Sequence, residues 1–234
     1  MRALVVGGSG GIGAAFTSLL AADARISHVT AWSRSAPNLA DNGISTRHID
    51  LRDESTIAAA AQDLGAVELV LIATGLLHDD DMKPEKTWRS LDPAMMMRAF
   101  EINTIGPALI AKHVLPLLPR DRRSIFATLS ARVGSIGDNR LGGWYSYRAS
   151  KAALNQIIRT LSIELAVRRP HAICVGLHPG TVDTPLSKPF QAGVSADRLA
   201  GPSIAAAHLI AVVSRLTPQD SGKVFDWKGQ VVPE

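Results

Sequence analysis

The run WYSYRASKAAL puts two phenols shortly before an ammonium, at what reads as the start of a helix. Residues four apart on a helix lie one turn above each other on one face. Tyr147 and Lys151 have that spacing and Tyr145 does not. A phenol titrates near pH ~10 and is a poor base at neutrality, but a neighbouring cation favours its phenolate. The pair therefore reads as a tuned acid/base, with Lys151 drawing Tyr147 toward working pH. An amphipathic helix start with an exposed lysine accounts for the same stretch, so the rest of the chain has to decide.

A second motif offers such a pair its reactant. In VGGSGGIGAAF, Gly7, Gly11 and Gly13 follow a short apolar strand and open a helix, with Ser9 and Ile12 in the same turn. That context lets the backbone pass close to a pyrophosphate, which then meets the free amides and positive dipole end of the helix. At the end of the second strand, AWSRSAP puts Ser33 and Arg34 where an adenine ribose would arrive. An acid there would accept from a free 2′-hydroxyl, whereas a small polar residue followed by arginine leaves room and charge for a 2′-phosphate. NADP is therefore expected over NAD, the alternative being an exposed arginine in a turn. Asp50, followed by Leu51 in HIDLRD, stands either beside the adenine or at the cap of the next helix.

The elements needed to hold these residues are legible as an alternation. ALVV, HVTAWS, TRHIDL, VELVLIA, SIFATLS, AICVGL and KVFDW read as strands, separated by alanine- and leucine-rich segments that read as helices. The fold class is α/β: one doubly wound Rossmann domain over residues 1–234, with a parallel sheet of about seven strands flanked by helices. Strands this apolar belong to a sheet covered on both faces. One long helix is expected across PAMMMRAFEINTIGPALIAKHVLPLL, with the Met95 to Met97 tract serving packing or a subunit contact.

Composition narrows the function classes. The 234 residues are 46% hydrophobic and 20% charged, with a net charge of +4 and arginines scattered rather than blocked, so no nucleic-acid footprint is expected. Cys174 is the single cysteine and lies in an apolar run, which excludes an intrachain disulfide and a cysteine metal cluster; no metal site is expected. The apolar stretch before the glycines is too short for a signal peptide, and no run approaches the ~18 to 20 residues of a membrane span. A soluble cytoplasmic protein is expected.

With the glycine loop and Tyr147/Lys151 in one chain, the sequence resembles the short-chain dehydrogenase/reductase family along essentially its whole length. The resemblance implies that Tyr147 is the general acid/base, that Lys151 binds the nicotinamide ribose and lowers the phenol's pKa, and that Asn103 in FEINTIGPAL kinks the long helix and helps hold a proton-relay water. It also implies that Ala73 and Gly75 line the cofactor, and that the loop HPGTVDT closes around the nicotinamide through Pro179, Gly180, Val182 and Thr184. Residues 186–199 would form a lid, and Tyr145 would be a pocket wall or a packing residue. LSARVGSIGDNRLGGWYSYRASKAALN and DSGKVFDWKGQVVPE are similar to the C-factor branch, relatives of a bacterial cell-to-cell signalling factor.

Two departures stand out. Ile72 and Ala73 replace the paired asparagines usual after the fourth strand. The position of the usual catalytic serine is Ala131, with Ser130 one residue early and Ser135 further on as substitutes, Ser130 preferred. The expected activity is NADP(H)-dependent hydride transfer with a small carbonyl or alcohol substrate, in a homodimer or homotetramer built through the long fourth and fifth helices. The alternative is an NADP-binding signalling or sensor protein with little or no turnover.

Overall fold

Each of the seven apolar runs is a strand, and all seven lie parallel in one sheet. They are β1 (Arg2–Val6), β2 (His28–Ser33), β3 (Ile44–His48), β4 (Leu69–Ile72), β5 (Ser124–Leu129), β6 (Ala172–His178) and β9 (Val224–Asp226), in the spatial order β3-β2-β1-β4-β5-β6-β9. A separate parallel pair, β7 (Thr181–Val182) with β8 (Leu199–Ala200), closes the base of the loop between them. The computed structural model describes residues 1–35 and 43–234.

Side chains alternate across the sheet, and each face has its own apolar core. Leu4, Val6, Val70 and Ile72 point into one core with Ile57 of α2 (Glu54–Gln62), Val114 of α4 (Gly106–Val114) and Leu154 and Ile158 of α5 (Tyr145–Arg168). Ala3, Val5, Leu69 and Leu71 point into the other with Phe16 of α1 (Gly11–Ala21) and Leu209 of α6 (Pro202–Arg215). The doubly wound expectation is met, and Cys174 is a core residue as anticipated. From β1 the chain winds outward to β3 and then returns to β4. The sheet order therefore reverses between β1 and β4, and a crevice opens at their carboxyl ends.

The long helix expected across residues 94–118 is not continuous. α3 (Pro93–Phe100) ends in a π-turn at Glu101–Ile105 before α4 begins. Pro107 has no N–H to give to the Asn103 carbonyl four residues earlier, so the regular ladder cannot run through this point. No helix among the described residues is long and apolar enough to cross a membrane.

The turn from β1 into α1 fixes the crevice. A Cβ on Gly13 would lie 2.0 Å from the Gly7 carbonyl oxygen, so only glycine lets the helix sit this close to the strand. Gly13→Ala is therefore expected to destabilise by about 1 to 3 kcal/mol, lowering Tm by roughly 3 to 10 °C for a chain of this size; an unchanged melting curve would refute the close approach.

Candidate active site

Two contiguous cavities of about 420 and 620 Å³ occupy the crevice and share Gly10, Arg34, Ala73, Thr74, Gly75 and Asp79 as walls. The smaller is the adenosine half in the sequence reading, and the larger holds the tyrosine–lysine pair. Between them, α1 begins at Gly11 with no side-chain cap and no acidic residue in its first turn, which leaves its amides for an anion. Gly7 takes φ +84°, a conformation only glycine adopts freely. A Cβ on Gly11 would lie 2.7 Å from Thr184 Cγ2, so that glycine admits the loop after β6 to the same spot. The Thr74 hydroxyl is buried here without a hydrogen-bond partner. An uncapped helix start, a glycine cradle and an orphaned hydroxyl are what a bound dinucleotide would complete.

At the adenosine end, Ser9, Ser33, Arg34, Asp50 and Leu51 all line the cavity. Ser33 is only partly available, since its hydroxyl donates to the Ser35 carbonyl at 2.5 Å. Of the two roles open to Asp50, the helix cap is taken by another residue. Asp53 is the cap of α2, accepting from Ser55 N at 3.0 Å, while Asp50 Oδ1 accepts from Arg52 N at 2.9 Å on the cavity wall. Arg52 itself lines the cavity and adds a second cation to Arg34. The sequence reading missed it, because nothing in HIDLRD distinguishes a cavity wall from a solvated turn.

At the other end, α5 presents Tyr147, Lys151 and Asn155 on the face toward β5. Lys151 is 2% exposed, its Nζ donates to the Leu129 carbonyl at 2.8 Å and stands 5.9 Å from the centre of the Tyr147 ring. Tyr147 and Lys151 line the cleft together, and the hydroxyl of Tyr147 makes no hydrogen bond among the described residues. Burial dominates in the protein itself, pushing Tyr147 up to about 12 and Lys151 down to about 8. Tyr145 lies outside the cleft and is 36% exposed.

Neither candidate serine presents a free hydroxyl. Ser130 lines the cleft, but its hydroxyl donates to Asn155 Oδ1 at 2.6 Å. Ser135 is buried away from the cleft, accepting from Asp138 N at 3.1 Å and facing the Glu234 carbonyl. The residue of this segment that packs against Tyr147 is Ala131, in an apolar cluster with Leu77.

Asn103 lies at the π-turn and is wholly buried, so it acts behind the cleft rather than in it. Its Oδ1 accepts from Leu76 N and its Nδ2 donates to the Leu76 carbonyl, both at 2.8 Å, and Nδ2 also reaches Ser150 Oγ at 3.1 Å. It ties the exit of β4 to α5. Ile12, Ala73, Gly75, Pro179 and Thr184 line the cleft as expected. Gly180 and Val182 do not. Gly180 takes φ +77° beneath Trp227, and Val182 is 4% exposed in β7, so both support the loop from behind. The loop over residues 186–199 leans on the cleft through His78, whose Nε2 meets the Pro185 and Leu186 carbonyls at 3.1 Å, and through Phe190 against Trp144.

The family profile described as short chain dehydrogenase matches residues 1–194. The chain belongs to that family. C-signal of Myxococcus xanthus is 37% identical over 144 residues, covering 61% of this chain and 81% of that protein, in line with the resemblance to the C-factor branch. A 1-hydroxy-2-glutathionyl-2-methyl-3-butene dehydrogenase of Rhodococcus sp. (strain AD45) is 34% identical over 191 residues, covering 80% of this chain and 79% of its own. In fold, the chain matches the NADPH-bound carbonyl reductase from chicken fatty liver with a TM-score of 0.85 at 24% identity, over 100% of this chain and 98% of that one. The carbonyl reductase Sniffer of D. melanogaster gives 0.87 at 22%, over 100% and 99%. As a member of this family of oxidoreductases, the chain keeps the glycine turn and the tyrosine–lysine pair but not the serine.

Asn103→Ala would leave both the N–H and the carbonyl of Leu76 without partners in a part-buried site. A loss of about 2 to 4 kcal/mol is expected, from roughly 1 to 3 for each group, read in urea unfolding; a loss under about 1 kcal/mol would show that the β4 exit holds itself.

Proposed function

We propose that the protein is an NADP(H)-dependent oxidoreductase that interconverts a carbonyl compound and its alcohol, with Tyr147 as the general acid/base. The observation that carries this reading is a phenol hydroxyl on the cleft wall with no hydrogen-bond partner among the described residues, one helical turn from a buried ammonium already fixed by the Leu129 carbonyl. The dinucleotide, when bound, supplies or accepts the hydride. The chain's residues do the rest. The amides of α1, Gly7 and Gly11 would hold the diphosphate, Asp50 the adenine, and Arg34 with Arg52 the 2′-phosphate that favours NADP over NAD. Lys151, held on one side by Leu129, has two N–H groups left for the ribose hydroxyls.

Burial keeps Tyr147 protonated across the working range, which suits it to donate its proton as a carbonyl oxygen gains charge. The protonated phenol is the form that carbonyl reduction calls on. Ala131 offers that oxygen no second donor, and such a donor is typically worth about 10²- to 10³-fold in rate. Slow turnover is expected for this reason, and the same methyl supports the alternative reading, a cofactor-binding sensor with little or no turnover. We also propose a homodimer or homotetramer, since Met97, Ile105, Ile163 and Val167 are exposed on the long helices that the family uses for association.

The decisive experiment is NADPH consumption on a panel of aldehydes and ketones. Activity is expected and should drop at least about 10²-fold in Tyr147→Phe; tight NADPH binding without turnover on any member would favour the sensor. Ala131→Ser should raise kcat on simple ketones by about 10-fold or more, whereas Ser130→Ala should change it by less than about threefold, because that hydroxyl is spent on Asn155. With rising pH, Lys151 loses its proton near about 8. Below that pH the ammonium holds the ribose, so kcat/KM for NADPH should be level and then decline as pH passes that value. A profile that rises through the same range would contradict the assignment.

A further inference from the structure

Glu85 is a carboxylate buried to 5% exposure, in the loop after β4, that hydride transfer as described does not use. Its neighbours are the first residues of α5. Oε2 accepts from Ser146 N at 3.2 Å, Oε1 accepts from the Ser146 hydroxyl, and its main-chain carbonyl accepts from Trp144 N at 2.5 Å. The helix needs this help. Its N-cap is Trp144, which has no side-chain cap bond and sits at φ 52°, ψ 44°, the one non-glycine residue with positive φ among the described residues. Gly142 and Gly143 precede it at φ 62° and 65°, so three successive left-handed residues turn the chain back into α5.

A bulky side chain persists in that conformation only where its surroundings over-determine it. Here the strain has a consequence for Tyr147. It sets the Trp144 indole edge-on to the Tyr147 ring at 6.3 Å and to Phe190 of the substrate loop at 5.0 Å. A carboxyl group at the helix N-terminus also meets the positive end of the dipole and free amides, which suit its oxygens as acceptors.

We propose that Glu85 is a positioning residue of the active site. By holding residue 144 through its carbonyl and residue 146 through its carboxylate, it seats the first turn of α5 and so aims the Tyr147 phenol into the cleft. The same loop is fixed at its other end by Asn103 on Leu76 and in its middle by the Asp79–Arg98 ion pair at 2.5 Å. Glu85 thus joins a rigid strand exit to the helix that carries the acid. The inference rests on Tyr147 being the reacting acid, and its test includes a readout that needs no turnover.

The chain has two tyrosines, so Tyr145→Phe leaves Tyr147 as its single phenol. Around that phenol stand Lys151 on its own helix, His78 across the cleft and Glu85 behind the first turn. Ultraviolet titration in this background should show ionisation at about 12. Adding Glu85→Ala loosens the helix start and admits water, and ionisation should fall toward the ordinary ~10. Glu85→Gln keeps an oxygen for Ser146 N and should titrate like the parent. In kinetics, Glu85→Ala should lower kcat by about 10- to 100-fold with KM for NADPH within about twofold, while Glu85→Gln stays within about threefold of the parent. If Glu85→Ala fails to fold, Ser146→Ala removes one of the three bonds and should shift the titration the same way by less. A parent-like titration and kcat in Glu85→Ala, or a Gln variant as impaired as the Ala variant, overturns the proposal. A parent with no turnover would sink the reductase reading alone, and the titration would still decide the role of Glu85.

Discussion

The site depends on keeping one ammonium and one phenol out of water at the edge of a parallel sheet. Lys151 is buried on a helix that the apolar core of Leu4, Val6, Val70 and Ile72 clamps against the sheet, and its charge is stabilised by the Leu129 carbonyl at the end of β5. A carbonyl freed by the end of a strand is one of few groups able to bond a buried cation without neutralising it. Tyr147 shares the same dry wall. Burial therefore works in opposite directions on the two groups, raising the phenol and lowering the amine, and this pair of shifts determines which protonation states the cleft offers.

The sheet's topology explains why the groups meet there. Strand order reverses between β1 and β4, so the loops after these strands part and leave a crevice, while the loops after β5 and β6 continue along its rim. Glycines at the β1 turn let α1 descend onto the strand with its amides uncovered. At the other end the wall is a mesh of side chain to backbone bonds. Asn103 fixes Leu76, Asn155 fixes Ser130, and Glu85 fixes residues 144 and 146. Each of these polar groups is spent on positioning, and a small apolar cluster of Leu77, Ala131 and Tyr147, with Leu186 packed against it, backs the cleft.

Ala131 gives the family resemblance its limit. The glycine turn, the tyrosine–lysine pair and the helix kink match the pattern of the short-chain dehydrogenases, and all three depend on backbone geometry as much as on side chains. The serine hydroxyl depends on a side chain alone, and here it is missing. Ser130 and Ser135 are close in sequence, yet a strand end that turns sharply sends neighbouring side chains to different partners, one to α5 and one to the segment near Glu234.

The sequence by itself determined the class of fold, the seven strands, the glycine turn before α1 and the shared helix face of Tyr147 and Lys151, because each is written in local spacing: apolar runs of strand length, glycines at one turn, and a four-residue interval on one helix face. It anticipated the kink at Asn103 only through the family pattern. What only the tertiary structure decided lies in contacts between distant segments. Burial sets the direction of the Tyr147 shift, Arg52 joins the adenosine wall, and Glu85 reaches a residue 61 positions away to cap α5. Periodicity reports which face of an element is covered, but not which group of a remote loop covers it. That pairing is chosen by the packing of the whole sheet and its helices.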